Sequence, residues 1–378
     1  LLRYARQKQS DIIALIRELV ECESPSDHPP GVDRLVSLIA DRVSGSARVR
    51  TFPGGRFGRH LRCEFVLPGG RKNGRGQILA LGHADTVWPM GTLTKMPFRI
   101  ARGRLWGPGV LDMKGGIAFF IFAMRGLGEL EIPVARKVVL QVNSDEEVGS
   151  ESSRALTEEA ARKSAAVLVL EPGTGLQGKL KTARKGVGDY TITVRGKASH
   201  AGVDFSNGAN AIVEMSRQIE HIAGFTRLDR GVTVSAGVIR GGTRSNVVPA
   251  ECVAEIDVRA PRDRDRKYLE QVFGSLKPFD KRCSIEISGG LNRPPMERSA
   301  GVRKLFRTAS ALAAELGVTL EESSTGGGSD GNFTAALGVP TLDGLGAVGE
   351  GAHALNESIL VNRIADRTAL LAKLVAAL

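Results

Sequence analysis

Three acidic residues in succession, Asp145-Glu146-Glu147, sit inside the stretch Asn143-Ser-Asp-Glu-Glu-Val-Gly-Ser150. They follow Lys137-Val-Val-Leu-Gln-Val142, an apolar run that reads as a buried strand, so the carboxylates arrive together at a strand's end. Held away from water, such a cluster costs free energy unless cations meet it; left in water, it is an ordinary acidic turn. Two more apolar runs deliver comparable groups. Gln77-Ile-Leu-Ala-Leu81 ends in Gly82-His83-Ala84-Asp85, and Ala165-Ala-Val-Leu-Val-Leu170 ends in Glu171-Pro172. Ligands of open α/β sheets sit outside the carboxyl ends of the strands, so His83, Glu146, Glu147 and Glu171 are expected along one edge. Side chains two apart on an extended segment face the same way, which lets Asp85 reach the His83 imidazole and fix its tautomer, as the partner of a metal-bound histidine does. Asp112 lies in a loop with five Gly or Pro among the twelve residues Leu105 to Gly116, just ahead of an apolar helix from about Ile117 to Leu127. It is either a helix cap or a carboxylate whose two oxygens serve one cation each.

The elements that must position these groups follow from composition and periodicity. A chain of 378 residues, 42% hydrophobic and 25% charged, is globular stock with enough apolar content for two domains. Its net charge of +11 is spread along the sequence and comes with only 5% aromatic residues, which argues against nucleic-acid binding and suits an anionic substrate. Cys22, Cys63, Cys252 and Cys283 form no Cys-x-x-Cys pair; they read as small buried filler, with one long-range disulfide left open. No apolar run is long enough to span a membrane. Leu1-Leu-Arg-Tyr carries no signal-peptide pattern, and cytoplasm and periplasm both stay open, because a removed leader leaves no trace.

In chain order, Ser10 or Asp11 is expected to cap a helix through Val20, and Val32 to Val43 forms a second. His28 lies in the proline-rich loop between them and reads as a surface histidine. Phe65 to Gly76 reads as a strand followed by an exposed hairpin tip. From Gly186 to about Gly289 the pattern is strand (Asp189 to Arg195), helix (Asn207 to Ala223), strand (Val232 to Ile239), strand (Cys252 to Arg259), helix (Arg264 to Leu276) and strand (Cys283 to Ser288). That β-α-β-β-α-β order is the ferredoxin-like split βαβ unit, and it fits as an insertion because helix and apolar strand return from Ser299 to Leu378.

Taken together and in order, Gly82-His-Ala-Asp-Thr-Val-Trp88, Asp112-Met-Lys-Gly-Gly116, Ser144-Asp-Glu-Glu-Val-Gly149, Glu171-Pro172, Ala198-Ser-His-Ala-Gly202, Ser245-Asn-Val-Val-Pro249 and Gly326-Gly-Gly-Ser-Asp330 resemble the M20 family of metallopeptidases, in its glutamate carboxypeptidase (carboxypeptidase G2-like) branch. The resemblance runs from about Asp11 to the end. It implies an α/β fold: a zinc-exopeptidase-like catalytic domain with a mixed sheet and flanking helices over residues 1–184 and 296–378, and an inserted ferredoxin-like α+β dimerisation (lid) domain over 185–295. It implies two Zn2+ ions per subunit, with Co2+ or Mn2+ also suited to carboxylate and imidazole ligands. Asp112 would bridge the metals, His83 and Glu171 would complete one site, and Glu147 and His353 the other. His353, in Gly349-Glu-Gly-Ala-His353, is placed by the resemblance alone. Asp85 would orient His83, and Glu146 would be the general base. Neighbours on an extended segment point to opposite sides, which frees Glu146 from ligation.

The same resemblance implies a homodimer in which His200 reaches the partner's active site and stabilises the oxyanion. Asn246 and Arg259 resemble contacts to substrate carboxylate or oxyanion, Arg293 the arginine that grips a terminal carboxylate, and Lys179 a lysine that reads a glutamate side chain. Gly327 and Gly328 would present main-chain N–H groups, since glycine lets backbone approach closely; Ser329 or Asp330 serves equally well as the cap of the next helix. The implied activity is hydrolysis of the amide bond to a C-terminal amino acid, most plausibly glutamate in a folate or another N-acyl substrate. The alternatives are a relative acting on another N-acyl amino acid or dipeptide, a metal-free scaffold and a peptide-binding module.

Overall fold

The computed structural model describes residues 1–69 and 76–378; residues 70–75, which fall in the expected hairpin tip, lie outside the described residues. The chain divides into two compact units, one of Leu1–Ala183, Arg298–Ser324 and Ser329–Leu378, the other of Arg184–Glu297 and Thr325–Gly328.

The larger unit is built on a six-stranded mixed sheet in the order Ala47–Pro53, Arg59–Phe65, Lys137–Asn143, Gln77–His83, Ser164–Val169, Thr341–Leu342. The last four strands are mutually parallel, and the first two form an antiparallel hairpin on one edge. Parallel strands need cover on both faces, and the sequence supplies apolar side chains to each. Ile78 and Ala80 pack with Val138, Leu140 and the helix Gly115–Glu129, while Leu79 and Leu81 pack with Val139, Val167 and the helix Arg154–Arg162. Gly115–Glu129 is buried almost all round, as its run of Ile117, Phe119, Phe120, Ile121 and Phe122 demands. A smaller sheet runs Gly349–Glu350, Ser358–Leu360, Arg104–Trp106, Arg99–Ala101, and it ties the chain's last third to the Asp112 loop.

The smaller unit is a four-stranded antiparallel sheet in the order Thr233–Gly241, Glu251–Ala260, Gly186–Arg195, Ser284–Arg293, with the helices Ala211–Ala223 and Asp263–Gly274 packed on it. Numbered along the chain the strands run 2-3-1-4, the ferredoxin-like arrangement. Ile192, Val194, Ala254, Ile256 and Val258 face Met215, Leu269 and Phe273 in a core of its own.

Two local expectations, the first helix's cap and the role of His28, are corrected. Residues Leu2–Gln7 are already helical, so Ser10 and Asp11 fall inside the helix Gln9–Glu21 and Lys8 holds the cap position. His28 is half-buried and caps the helix Pro29–Val43, its Nδ1 accepting from Gly31 N at 3.0 Å. All four cysteines are free. Among the described residues no helix is long and apolar enough to cross a membrane.

Candidate metal centre

Three parallel strands end at the candidate site. His83 is the last residue of its strand, opposite Asn143, from which the chain passes into Ser144 and the 3-10 turn Glu146–Val148; Glu171 follows Ser164–Val169. Asp112 comes from the Gly-rich loop after Arg104–Trp106, and its peptide bond to Met113 is cis. His353 lies in the turn between Gly349–Glu350 and Ser358–Leu360, with a left-handed backbone, φ 62°. Since Ser358–Leu360 pairs with Arg104–Trp106, this small sheet carries the His353 turn and the Asp112 loop together.

The donor atoms converge on Asp112. His83 Nε2 stands 3.2 Å from Asp112 Oδ1 and 3.6 Å from Glu171 Oε1. His353 Nε2 stands 3.3 Å from Asp112 Oδ2 and 3.2 Å from Glu147 Oε1. Each Asp112 oxygen thus faces one imidazole, and each of those imidazoles faces one further carboxylate. Ligand bonds of about 2.0–2.1 Å at tetrahedral angles place donors roughly 3.3 Å apart, so these spacings are those of ligands around cations. Glu147 Oε1 is buried without a hydrogen-bond partner although His353 Nε2 is near, as donors aimed at a shared point would be. Donor atoms of His83, Asp112 and Glu147 lie within 4.8 Å of one another, as do those of His83, Glu146 and Glu171. Two imidazoles with carboxylates and no thiolate suit a borderline divalent metal such as zinc, cobalt or manganese.

The electrostatics of the chain alone point the same way. Burial disfavours the His83 imidazolium, yet hydrogen bonds to Asp112 and Asp85 carry its pKa well above the usual imidazole range. The Asp112 and Glu147 carboxylates beside His353 push it up to about 10. Burial disfavours the ionised form of Asp112, but the two imidazoles hold its pKa well below the carboxylate range. The pocket therefore draws in positive charge, which a divalent cation supplies in concentrated form.

Asp85 meets His83 as expected, chiefly through its main chain. His83 Nδ1 meets the main-chain carbonyl of Asp85 at 2.8 Å, while the Asp85 carboxylate stands 3.5 Å away. A carbonyl only accepts, so Nδ1 keeps a proton in either charge state, and Nε2 is the nitrogen whose proton a cation would displace. The carboxylate instead receives Glu146 N on Oδ1 and Glu147 N on Oδ2, both at 3.1 Å, and Ser26 Oγ at 2.8 Å. It holds the acidic turn. That turn is 3-10 rather than extended, so alternation of faces is not what separates Glu146 from Glu147; Glu146 groups with His83 and Glu171, and Glu147 with His83 and Asp112. Asp112 caps no helix, because Gly115–Glu129 begins three residues later with Lys114 before it.

Sequence reasoning missed Glu357. Fully buried, it accepts Leu111 N at 2.9 Å and Asp112 N at 3.1 Å on Oε1, and Gly109 N at 2.9 Å and Trp88 Nε1 at 2.8 Å on Oε2. Burial pushes its pKa up against these four donors. The one available signal was an acid four residues beyond His353 in a segment otherwise too short for core.

Lys179 belongs to the larger unit and its Nζ pairs with Glu321 Oε2 at 2.5 Å. His200, Asn246, Arg259, Arg293, Gly327 and Gly328 all belong to the smaller unit. Ser199–His200 pairs with Val247–Val248, and Asn246 O accepts from Ala201 N at 3.0 Å, so His200 and Asn246 are neighbours. His200 Nδ1 accepts from Gly202 N at 3.1 Å and Val203 N at 3.2 Å, which leaves its proton on Nε2 as an outward donor. Arg259 is committed to Asp257, with Nε to Oδ1 at 3.0 Å and Nη2 to Oδ2 at 2.6 Å, and Nη1 approaches Gly326 O at 3.4 Å. Arg184 Nη1 donates to Gly327 O at 3.1 Å and Gly328 O at 3.0 Å. Arg293 is buried beside Gly328, where a Cβ would lie 2.6 Å from Arg293 Cδ, so any larger residue at 328 displaces the Arg293 side chain. Ser329 Oγ accepts from Gly331 N at 3.1 Å, and the Asp330 carboxylate accepts from Asn143 Nδ2 and Ser150 Oγ, each at 2.5 Å.

A family model described as peptidase family M20/M25/M40 matches residues 79–377, a span that holds every candidate donor from His83 to His353. The chain is 32% identical over 314 residues to carboxypeptidase G2 of Pseudomonas sp. (strain RS-16), covering 81% of this chain and 75% of that protein. It is 30% identical over 381 residues to succinyl-diaminopimelate desuccinylase of Cereibacter sphaeroides, covering 94% and 95%. Its fold is similar to that of aminopeptidase PepT from Bacillus cereus, with a TM-score of 0.79 at 24% identity over 97% of this chain and 98% of that one.

Proposed function

This chain belongs to peptidase family M20/M25/M40, and we propose that within this metallopeptidase family it is a di-zinc exopeptidase or amidohydrolase that cleaves the amide bond to a C-terminal amino acid, glutamate foremost, in an N-acyl or peptidyl substrate. The observation that carries the reading is the division of Asp112, one oxygen toward His83 and the other toward His353, with Glu171 beside the first imidazole and Glu147 beside the second. When bound, the metal pair lowers the pKa of a water and polarises the substrate carbonyl. His83, Asp112 and Glu171 would hold one ion, and Glu147, Asp112 and His353 the other. Glu146 takes a proton from the attacking water and delivers it to the departing amine nitrogen as the C–N bond breaks and the new C–O bond forms. Asp85 keeps Glu146 and Glu147 in register through their N–H groups.

The smaller unit is assigned recognition and dimerisation. In a homodimer, His200 offers its Nε2–H across to the partner subunit's active site, to the carbonyl oxygen as that atom gains charge, with Asn246 beside it. Arg293 grips the terminal carboxylate, and Gly327 and Gly328 present N–H groups while Arg184 holds their carbonyls. Arg259 contributes through its hold on Asp257 and Gly326 more than by direct contact. Lys179 reads the glutamate side chain only when its pair with Glu321 opens. The glutamate reading is supported by the similarity to carboxypeptidase G2 and by the net charge of +11. A second reading, hydrolysis of another N-acyl amino acid or dipeptide, is supported by the similarity to the desuccinylase over nearly the whole of both chains.

A turnover panel of N-acyl glutamates, aspartates and neutral amino acids, with metal analysis on the same sample, tests both readings. Chelation is expected to abolish hydrolysis and zinc to restore it. A clear preference for neutral residues overturns the glutamate assignment, and absence of both metal and turnover overturns the enzyme.

A further inference from the structure

The turn that carries Glu146 and Glu147 is fastened on two sides. One fastening is Asp85. The other uses groups that no step above employs. His60, in the edge hairpin strand Arg59–Phe65, is 1% exposed. Its Nδ1 accepts from Ser144 N at 3.2 Å and stands 2.9 Å from Ser144 Oγ; its Nε2 stands 3.1 Å from Ser152 Oγ. A main-chain N–H only donates, so Nδ1 carries the lone pair and Nε2 the proton. Nε2–H therefore donates to Ser152 Oγ, whose own proton goes to Asp145 Oδ2 at 2.7 Å. The same oxygen accepts Ser152 N at 2.6 Å and Ser153 N at 3.3 Å, while Asp145 Oδ1 is buried without a hydrogen-bond partner. One carboxylate oxygen thus anchors the residue immediately before Glu146, and the direction of every bond in the relay is set by a neutral imidazole. Burial keeps His60 below the usual imidazole range despite the charges of Asp145, Asp330 and Asp85, which preserves the accepting nitrogen at neutral pH.

We propose that His60 is a positioning residue for the general base: accepting Ser144 N–H at Nδ1 and steering Ser152 Oγ–H onto Asp145, it fixes the acidic turn from behind. The proposal rests on the reading of Glu146 as the base. Misplacing a catalytic group by an ångström lowers rate by large factors while leaving substrate contacts elsewhere intact, so the signature is a loss in kcat.

The test compares His60→Leu, His60→Asn and Glu146→Gln as metal-loaded proteins, measuring bound metal, Tm, kcat and KM. Asn Oδ1 stands as many bonds from Cβ as Nδ1 does and keeps the acceptor for Ser144 N–H; Leu removes it. The expected result is a fall in kcat of about tenfold or more in His60→Leu, with KM and bound metal within about twofold of wild type, and recovery of most of kcat in His60→Asn. An unchanged kcat in His60→Leu, or a loss that simply follows metal content or folded fraction, overturns the proposal. If His60→Leu does not fold, Ser152→Ala replaces it, since it removes the hydroxyl that donates to Asp145, a bond His60→Asn retains: a lower kcat at unchanged KM supports the relay and an unchanged kcat overturns it. Glu146→Gln separates the two readings. Normal turnover there refutes Glu146 as base, whereas near-total loss there beside an unaffected His60→Leu refutes only the positioning.

Discussion

Glu357→Gln is the substitution whose cost the structure fixes most directly. The side chain is fully buried, and all four of its contacts are N–H donors, two on each oxygen: Leu111 and Asp112 on one, Gly109 and the Trp88 indole on the other. Glutamine matches the size and keeps one oxygen, but its amide nitrogen is itself a donor. Whichever way the amide turns, it opposes two N–H groups. A buried donor left without an acceptor costs about 1–3 kcal/mol, so two of them cost about 2–6 kcal/mol. Burial also penalises the carboxylate, as its raised pKa records, and the neutral amide escapes that penalty, which moves the expectation to the lower half, about 2–4 kcal/mol. Urea unfolding of the metal-loaded protein, followed by far-UV circular dichroism, reads this as a lower midpoint at constant slope. Because Asp112 N is one of the four donors, bound metal and turnover should fall with it. An unchanged urea midpoint would falsify the reasoning, since it means the four donors do not need a carboxylate.

Three further outcomes are expected. Glu146→Gln should keep metal content near wild type while lowering kcat by about 10²–10⁴-fold, and a metal-loaded variant with normal turnover removes Glu146 from the chemistry. Gly328→Ala forces Arg293 aside, because the new Cβ falls 2.6 Å from its Cδ; KM should rise about tenfold or more with a smaller change in kcat, and an unaltered KM dissociates Arg293 from substrate binding. For His60, whose folded pKa burial depresses, the unfolded chain takes up a proton that the folded chain resists. Stability is then complete above about pH 6.5 and is lost as pH falls through the lower folded value, against the opposing charges of Asp145, Asp330 and Asp85. Urea midpoints between pH 7.5 and pH 5 should drop less in His60→Asn than in wild type, and parallel curves refute the assignment.

The α/β fold was legible where side-chain periodicity was strong. Gln77-Ile-Leu-Ala-Leu81 and Ala165-Ala-Val-Leu-Val-Leu170 are strands because only a two-faced buried sheet uses such runs, and His83 and Glu171 follow at their ends. The strand Gly186–Arg195 begins before the reading at Asp189 because Gly186 and Gly188 carry no strand signal of their own. Asp112 stayed ambiguous between cap and bridge, since a carboxylate before a helix looks the same in either role; only the facing imidazoles separate them. His353 sits on a left-handed turn with no periodicity around it, so nothing short of family likeness marks it. Glu357 and His60 were invisible for a related reason: their work is with main-chain N–H groups, which every residue has. Asp85 shows the finer limit: its hold on His83 was legible, but not that the main-chain carbonyl makes the shorter contact while the carboxylate receives the N–H groups of the acidic turn.

The donors are widely spread along the chain, with His83 on its first parallel strand and His353 270 residues later. On the ribosome, which delivers the polypeptide from its amino end, Asp112 and Glu147 emerge long before the imidazole that completes their half. The half of the proposed centre that needs His353 is accordingly assembled after the half of His83, Asp112 and Glu171, and a product that stops short of His353 keeps donors for one cation but not for the pair.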